Sequence, residues 1–109
     1  MPEELDGLGR YSGPATLILT SLADAPRHGY ALTKDIERFA DVSLAPGTLY
    51  AALERLVDRG LIEGLAMEGR RRPYRITGLG AKVLRSHLEA QRRMAETGLR
   101  RLDLGLAGG

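Results

Sequence analysis

The feature that most constrains the fold lies between residues 46 and 77. Pro46 opens a stretch, residues 46–56, in which apolar side chains recur at helical spacing, and proline is well suited to a first helical turn. Two short runs typical of strands follow at residues 61–63 and 74–77. The loop between them carries a glycine and three arginines, residues 69–72. This order predicts a helix followed by a β-hairpin with a basic turn.

The predicted helix has two different faces. An advance of about 100° per residue places the inward-facing side chains on one side, and these are Leu49, Ala52, Leu53, Leu56 and Val57. The outward face consists of Gly47, Ala51, Glu54, Arg55 and Asp58. Its small first residues permit close approach to a groove, whereas phosphates would repel Glu54 and Asp58. The N-terminal turn is therefore the part expected to enter a DNA groove, where the helix dipole also favours phosphate.

The predicted hairpin presents a basic loop. Gly69 permits the tight reversal, and Arg70, Arg71 and Arg72 place three guanidiniums at or beside its tip. Such a loop can bind phosphates or enter a narrow minor groove. The alternative is an ordinary buried helix followed by a solvated charged hairpin.

Three motifs together resemble the PadR family of bacterial transcriptional regulators. They are the run Leu-Ala-Asp-Ala-Pro-Arg-His-Gly-Tyr-Ala-Leu at 22–32, the Pro-Gly-Thr-Leu-Tyr segment at 46–50, and Gly-Leu-Ile-Glu with the Gly-Arg-Arg-Arg wing. The resemblance spans residues 17–77. It implies a mainly α fold with a small β-hairpin, that is, a winged helix-turn-helix DNA-binding domain followed by a C-terminal dimerisation helix. It also implies repression of nearby genes, relieved by a small-molecule effector.

The resemblance matches Thr48, Tyr50 and the wing arginines to DNA-contacting positions. The family commonly carries a serine N-cap at the position of Ala45, so either Ser43 caps the helix instead or the helix start is weaker. Lys34, on the preceding helix, could meet a phosphate or remain solvated. The full predicted DNA-binding set is Tyr30, Lys34, Ser43, Gly47, Thr48, Tyr50, Ala51, Arg70, Arg71 and Arg72.

Two further helices are predicted before the motif. Residues 14–23 are apolar almost throughout, which is typical of a central core helix. Residues 29–40 place Leu32, Ile36 and Phe39 inward at helical spacing. The outward side chains of this second helix are predicted to be Lys34, Asp35, Glu37 and Arg38.

The last predicted helix, residues 78–103 after a Thr77 N-cap, carries two apolar stripes. One stripe is Leu79, Val83, Ala90 and Met94. The other, the predicted dimer interface, is Leu84, Leu88, Ala95, Leu99 and Leu102. A small monomer has no second surface to bury both stripes, so one is expected to face its own domain and the other a partner copy. The alternative is a helix that is simply buried or that frays beyond Gly98.

Composition sets further bounds. The length of 109 residues predicts one domain, residues 13–77, followed by the C-terminal helix. A flexible extension is expected at residues 1–12 and a flexible tail at residues 104–109. The net charge is only +2, so binding to nucleic acid must depend on local concentration of charge. The absence of cysteine excludes disulfides and thiol ligands. No membrane segment or signal pattern is found, and a cytoplasmic location is expected.

The sequence offers no pattern typical of an enzyme. The two histidines, His28 and His87, have no neighbouring residues at metal-ligand spacing and no nucleophile in a recognisable motif, so neither a cofactor nor a metal site is predicted. Two function classes remain. The first is a homodimeric DNA-binding regulator acting on a pseudo-palindromic, double-stranded operator, and the second is a winged-helix module that binds protein or RNA with the same surface.

Overall fold

The computed structural model describes residues 13–108, so the predicted extension at 1–12 lies outside the described part. The elements in chain order are α1 (Pro14–Leu22), α2 (Gly29–Ala40), α3 (Pro46–Asp58), β1 (Ile62–Gly64), β2 (Tyr74–Ile76) and α4 (Gly78–Gly108). The predicted fold class is confirmed: within the described residues, three short helices precede a two-stranded antiparallel hairpin and a long C-terminal helix.

The core forms where the inner faces of α1, α2 and α3 meet, and the α2–α3 connection, β1 and α4 add one buried side chain each. Its members are Leu17, Ile18, Leu19, Leu22, Leu32, Ile36, Val42, Leu49, Ala52, Leu53, Leu56, Ile62 and Leu84. Two side chains that were predicted to point inward are exposed in the structure. Phe39 is 47% exposed and Val57 is 40% exposed. Both lie in the last turn of their helices, at the edge of the core.

The hairpin is tied to the helical part through backbone hydrogen bonds. β1 and β2 pair in antiparallel register, with Ile62 opposite Ile76 and Gly64 opposite Tyr74. Tyr74 also pairs with Arg27 in the α1–α2 connection, through N–H···O distances of 3.1 and 2.9 Å. This bridge fixes the base of the hairpin beside the start of α2.

Thr77 caps α4 as predicted. Its Oγ1 accepts a hydrogen bond from the Gly80 N–H at 3.0 Å and donates to the Gly60 carbonyl at 2.7 Å. The helix then continues to Gly108, beyond the predicted end at 103 and through most of the segment expected to be a flexible tail. Leucine and alanine in this segment favour helix, and extending a formed helix is much easier than nucleating one.

Most of α4 extends beyond the domain. Of its residues 78–105, only Gly80 and Leu84 are buried, and the described chain reaches 60 Å along its longest axis. Neither α4 nor any other helix within residues 13–108 has the length and hydrophobicity needed to cross a membrane.

Candidate nucleic-acid interface

The outward face of α3 begins with small and hydroxylated residues. Gly47, Thr48, Tyr50 and Ala51 are all exposed, and the buried residues of α3 lie on the opposite face. Pro46 occupies the first turn, and the N-cap residue, Ala45, makes no side-chain capping hydrogen bond. Backbone N–H groups at this end therefore have no side-chain acceptor at the cap position and remain suited to an anion.

Ser43 does not replace the missing cap. Its hydroxyl donates to Oε2 of Glu37 at 3.1 Å, so the side chain is engaged with α2 rather than with the start of α3. Of the two sequence alternatives, the helix start without a side-chain cap is the one observed. Ser43 remains exposed beside the entrance of α3.

The wing ends in a two-residue turn at Gly69 and Arg70. Glu68 and Arg71 flank it and exchange backbone hydrogen bonds of 2.7 and 3.1 Å. Gly69 has φ of +63°, and Arg70 is not among the positive-φ residues, which is the pattern of a type II′ turn with glycine at its first central position. A side chain at position 69 would be strained, so the glycine is what places Arg70 at the tip.

The three wing arginines occupy different environments. Arg72 donates from Nη1 to the Leu65 carbonyl at 2.7 Å and so braces the wing itself. Arg71 has Nη1 3.4 Å from Nε2 of His28, and its Cζ lies 5.7 Å from the centroid of the Tyr30 ring. Arg70 is exposed at the tip, and its side chain makes no hydrogen bond or ion pair with another described residue.

A cleft of about 230 Å³ joins the start of α2, the start of α3 and the wing. It is lined by His28, Gly29, Tyr30, Tyr50, Met67, Arg70, Arg71, Arg72 and Tyr74. The fold thus brings together five members of the predicted DNA-binding set. Lys34 lies next to them, with Nζ 5.6 Å from the Tyr30 ring centroid and 3.7 Å from Oε1 of Glu37.

Tyr50 connects α3 to α2 within this cleft. Its hydroxyl packs on Gly29, where an added Cβ would lie 2.5 Å from the hydroxyl oxygen. Glycine at position 29 is therefore needed for this close approach. Tyr50 nevertheless remains 53% exposed, which leaves its hydroxyl edge available to a ligand of the cleft.

Charge is distributed unevenly over the exposed surface. The three wing arginines line the cleft at the beginning of α3, and Lys34 lies beside it near Tyr30. Glu54 and Asp58 line a neighbouring groove beside the later turns of α3. An approaching polyanion is attracted to the first part of α3 and the wing and repelled further along.

An ion-pair network that helical periodicity did not predict joins α1, the α1–α2 connection and α2. Asp35 was predicted to point outward, yet its side chain is only 19% exposed, and it accepts a 2.6 Å hydrogen bond from the buried Ser21 hydroxyl. Arg27 has Nε 3.9 Å from Oδ2 of Asp35. Position 35 lies three residues after the buried Leu32, and that spacing was the available signal for an inward position.

Arg27 also binds Asp24, which lies two residues after the end of α1. Its Nη1 lies 2.8 Å from Oδ1 of Asp24 and donates as well to the Ser21 carbonyl. The hydrogen bond and charge of Arg27 lower the pKa of Asp24 below its ordinary value of 3.8. Because the backbone of Arg27 pairs with Tyr74, this network helps to set the wing against α2.

His28, which directly precedes α2, has two contacts in the structure. Its Nδ1 faces the Ala31 N–H at 3.4 Å, so the ring serves as the N-cap of α2, and its Nε2 faces the wing at Arg71. Sequence alone could not show this second contact, because it joins residues 43 positions apart.

The predicted dimer-interface residues divide into two groups. Leu84 is 5% exposed and belongs to the core of its own domain, so the assignment of this residue to a partner surface is wrong. Helix α4 crosses the domain there, which turns that position inward. Leu88, Leu99 and Leu102 are 38%, 62% and 66% exposed, and Ala95 is also exposed. Leu79, Val83 and Met94 of the other stripe are likewise exposed.

Comparison with known proteins agrees with this architecture. The family model described as "Transcriptional regulator PadR-like family" matches residues 18–86. A relative from Streptomyces fradiae, named as an uncharacterized 37.1 kDa protein in transposon TN4556, is 39% identical over 79 residues, or 72% of this chain. The chain spans only 23% of that relative's length.

Two solved structures show similar folds. A PadR family transcriptional regulator from Eggerthella lenta is 31% identical with a TM-score of 0.71, and the match covers 93% of this chain and 89% of that one. A PadR family transcription regulator from Clostridium difficile has a TM-score of 0.73 at 23% identity, covering 82% and 97% of the two chains, and this likeness concerns the fold alone.

Proposed function

Because the chain belongs to the PadR-like family of transcriptional regulators, we propose that it is a homodimeric repressor that binds a specific double-stranded DNA operator. The observation that carries the proposal is the cleft in which Tyr50 of α3, Tyr30 of α2 and the wing arginines meet. These side chains are distant in sequence and lie together beside the uncapped first turn of α3.

In this proposal the first turn of α3 enters the major groove while the wing binds the adjacent backbone or minor groove. Gly47 and Ala51 offer little steric bulk, and Thr48 and Tyr50 offer hydroxyl groups beside them. Arg70, at the tip of the wing, is the arginine most free to follow the DNA surface. The acidic later turns of α3 stay away from the phosphates.

The proposed dimer is formed through α4. Leucines at 62% to 66% exposure along a helix that extends beyond its domain are an unfavourable surface for an isolated monomer. A twofold dimer would also present two α3 helices to half-sites about one turn of DNA apart. That arrangement fits a pseudo-palindromic operator.

We further propose that a small effector relieves repression. A second cleft, of about 400 Å³, lies between the end of α1, β2 and α4, with Ile76, Leu84 and Leu88 on its apolar side and Arg85, Glu89 and Arg92 on its polar side. No aromatic side chain from the described residues lines it, which disfavours a ligand that binds by ring stacking. The test is a gel shift in the presence of a candidate ligand, which should release the operator from the protein.

The test of DNA binding is Ala51→Leu. This change enlarges the outward face of α3 without altering its buried face, so it should abolish operator binding and leave the melting temperature unchanged. Affinity is measured by gel shift against the DNA upstream of the chain's own gene. Glu96→Leu, which places the same side chain at an exposed position on the charged face of α4, is the control and should bind normally.

Three results would contradict the proposal. Retained affinity in Ala51→Leu would show that this face stays outside the groove, and an equal loss of folding stability would show that position 51 is not outward. Wild-type binding to RNA or to a protein partner in preference to duplex DNA would support the alternative interaction module.

A further inference from the structure

We propose that Tyr30 is a positioning residue for DNA binding, whose ring holds Lys34 of α2 and Arg71 of the wing as one cationic surface for the DNA backbone. The inference rests on the proposed DNA-binding function and goes beyond it, because it assigns Tyr30 a role through its aromatic face rather than through a direct contact with DNA.

The geometry places two cations around a single exposed ring. Lys34 Nζ is 5.6 Å and Arg71 Cζ is 5.7 Å from the ring centroid, both within the range of a cation–π interaction. Tyr30 and Lys34 are four residues apart on α2 and so share one face of the helix. Arg71 reaches the same ring from the wing. The ring, at 60% exposure, is itself in contact with solvent.

His28 directs Arg71 towards this ring. The imidazole is fixed at the start of α2, since its Nδ1 faces the Ala31 N–H, and its Nε2 lies 3.4 Å from Nη1 of Arg71. A guanidinium carries five N–H donors, so one contact with His28 leaves most of them free for phosphate oxygens. Arg71 is therefore held in place without being neutralised.

The other two wing arginines differ in this respect. Arg72 is bound to the Leu65 carbonyl within the wing, and Arg70 has no side-chain hydrogen bond to a described residue. Ordering a free arginine on DNA costs side-chain entropy, and Arg71 has already lost part of that freedom in the unbound protein. We therefore expect Arg71 to contribute more to affinity than Arg70.

The test compares Tyr30→Leu with Tyr30→Phe. Leucine removes the aromatic face, whereas phenylalanine keeps it and removes only the hydroxyl. Affinity for a short mixed-sequence duplex is measured by fluorescence anisotropy over a range of salt concentrations. Tyr30→Leu should weaken binding about two- to fivefold for each cation released, and Tyr30→Phe should bind like the wild type. Phe39→Leu, at another exposed aromatic position on α2, is the matched control and should have no effect.

A double-mutant cycle with Arg71→Ala completes the test. If Tyr30 acts through Arg71, the loss of binding free energy in the double variant should be smaller than the sum of the losses in the two single variants. Additive losses, an unchanged affinity in Tyr30→Leu, or equal losses in Tyr30→Phe and Tyr30→Leu would each overturn the inference. A wild-type protein that binds no duplex would instead overturn the proposed function, so the two failures are distinguishable.

Discussion

Leu99→Ala tests whether α4 forms the dimer interface. Leu99 lies on the part of α4 that extends beyond the domain and is 62% exposed. Alanine is the best helix former, so the substitution shortens an apolar side chain while preserving the helix. The monomer should keep its stability, because Leu99 does not belong to the core.

The expected loss follows from the exposed fraction. Complete burial of a leucine side chain stabilises by about 1.5 to 3 kcal/mol. Burying the 62% of Leu99 that one chain leaves exposed should therefore stabilise the dimer by about 1 to 2 kcal/mol. A twofold interface contains the residue twice, which gives about 2 to 4 kcal/mol per dimer. At about 1.4 kcal/mol per factor of ten, the dimer dissociation constant should rise roughly 30- to 700-fold.

Sedimentation equilibrium over a concentration series measures this constant directly. Arg100→Ala, a substitution of the neighbouring exposed residue, is the control and should dimerise like the wild type. A Leu99→Ala protein whose dimer is as tight as the wild type would refute this assignment, and so would a wild-type protein that stays monomeric at high concentration.

Two further predictions concern the ion-pair network that sets the wing against α2. Asp35→Ala removes the acceptor of the buried Ser21 hydroxyl and should lower the free energy of unfolding in urea by about 1 to 3 kcal/mol. Asp58→Ala, at an exposed position, is the control and should lower it by less than about 0.5 kcal/mol. Equal effects of the two substitutions would contradict the network. The pKa of Asp24 is lowered by Arg27, so its contribution to stability is present above the ordinary value of 3.8 and is lost as pH falls through the lowered folded pKa. The stability difference between wild type and Asp24→Asn should therefore shrink in acid, and a difference independent of pH would refute this.

Much of the fold could be predicted because its signals are local. The proline at the start of α3, the threonine before α4 and the glycine in the wing each act within a few residues, and the structure agrees on all three. Helical periodicity identified most core positions for the same reason. It failed at Phe39 and Val57, because periodicity shows which face of a helix points inward but not how far along the helix the core covers that face.

The sequence predicted which residues belong to the candidate DNA interface, but not how their side chains contact one another. Sequence treated the three wing arginines alike, although Arg72 braces the wing, Arg71 packs against Tyr30 and Arg70 is free of such contacts. These differences come from contacts between distant segments, which no local pattern encodes. The same holds for Leu84, whose inward direction depends on where α4 crosses the domain.

The salt dependence of duplex binding shows directly whether the wing binds DNA phosphates. We propose that Arg70 and Arg71 neutralise these phosphates, while Arg72 supports the wing. In the double variant Arg70→Ala/Arg71→Ala, the slope of log K against log salt should fall by about 0.9 for each lost phosphate contact, and so by up to about 2. Arg100→Ala/Arg101→Ala removes the same charge from α4 and should keep the wild-type slope. A slope unchanged in the wing variant would show that the wing does not contact DNA, and the account would be wrong.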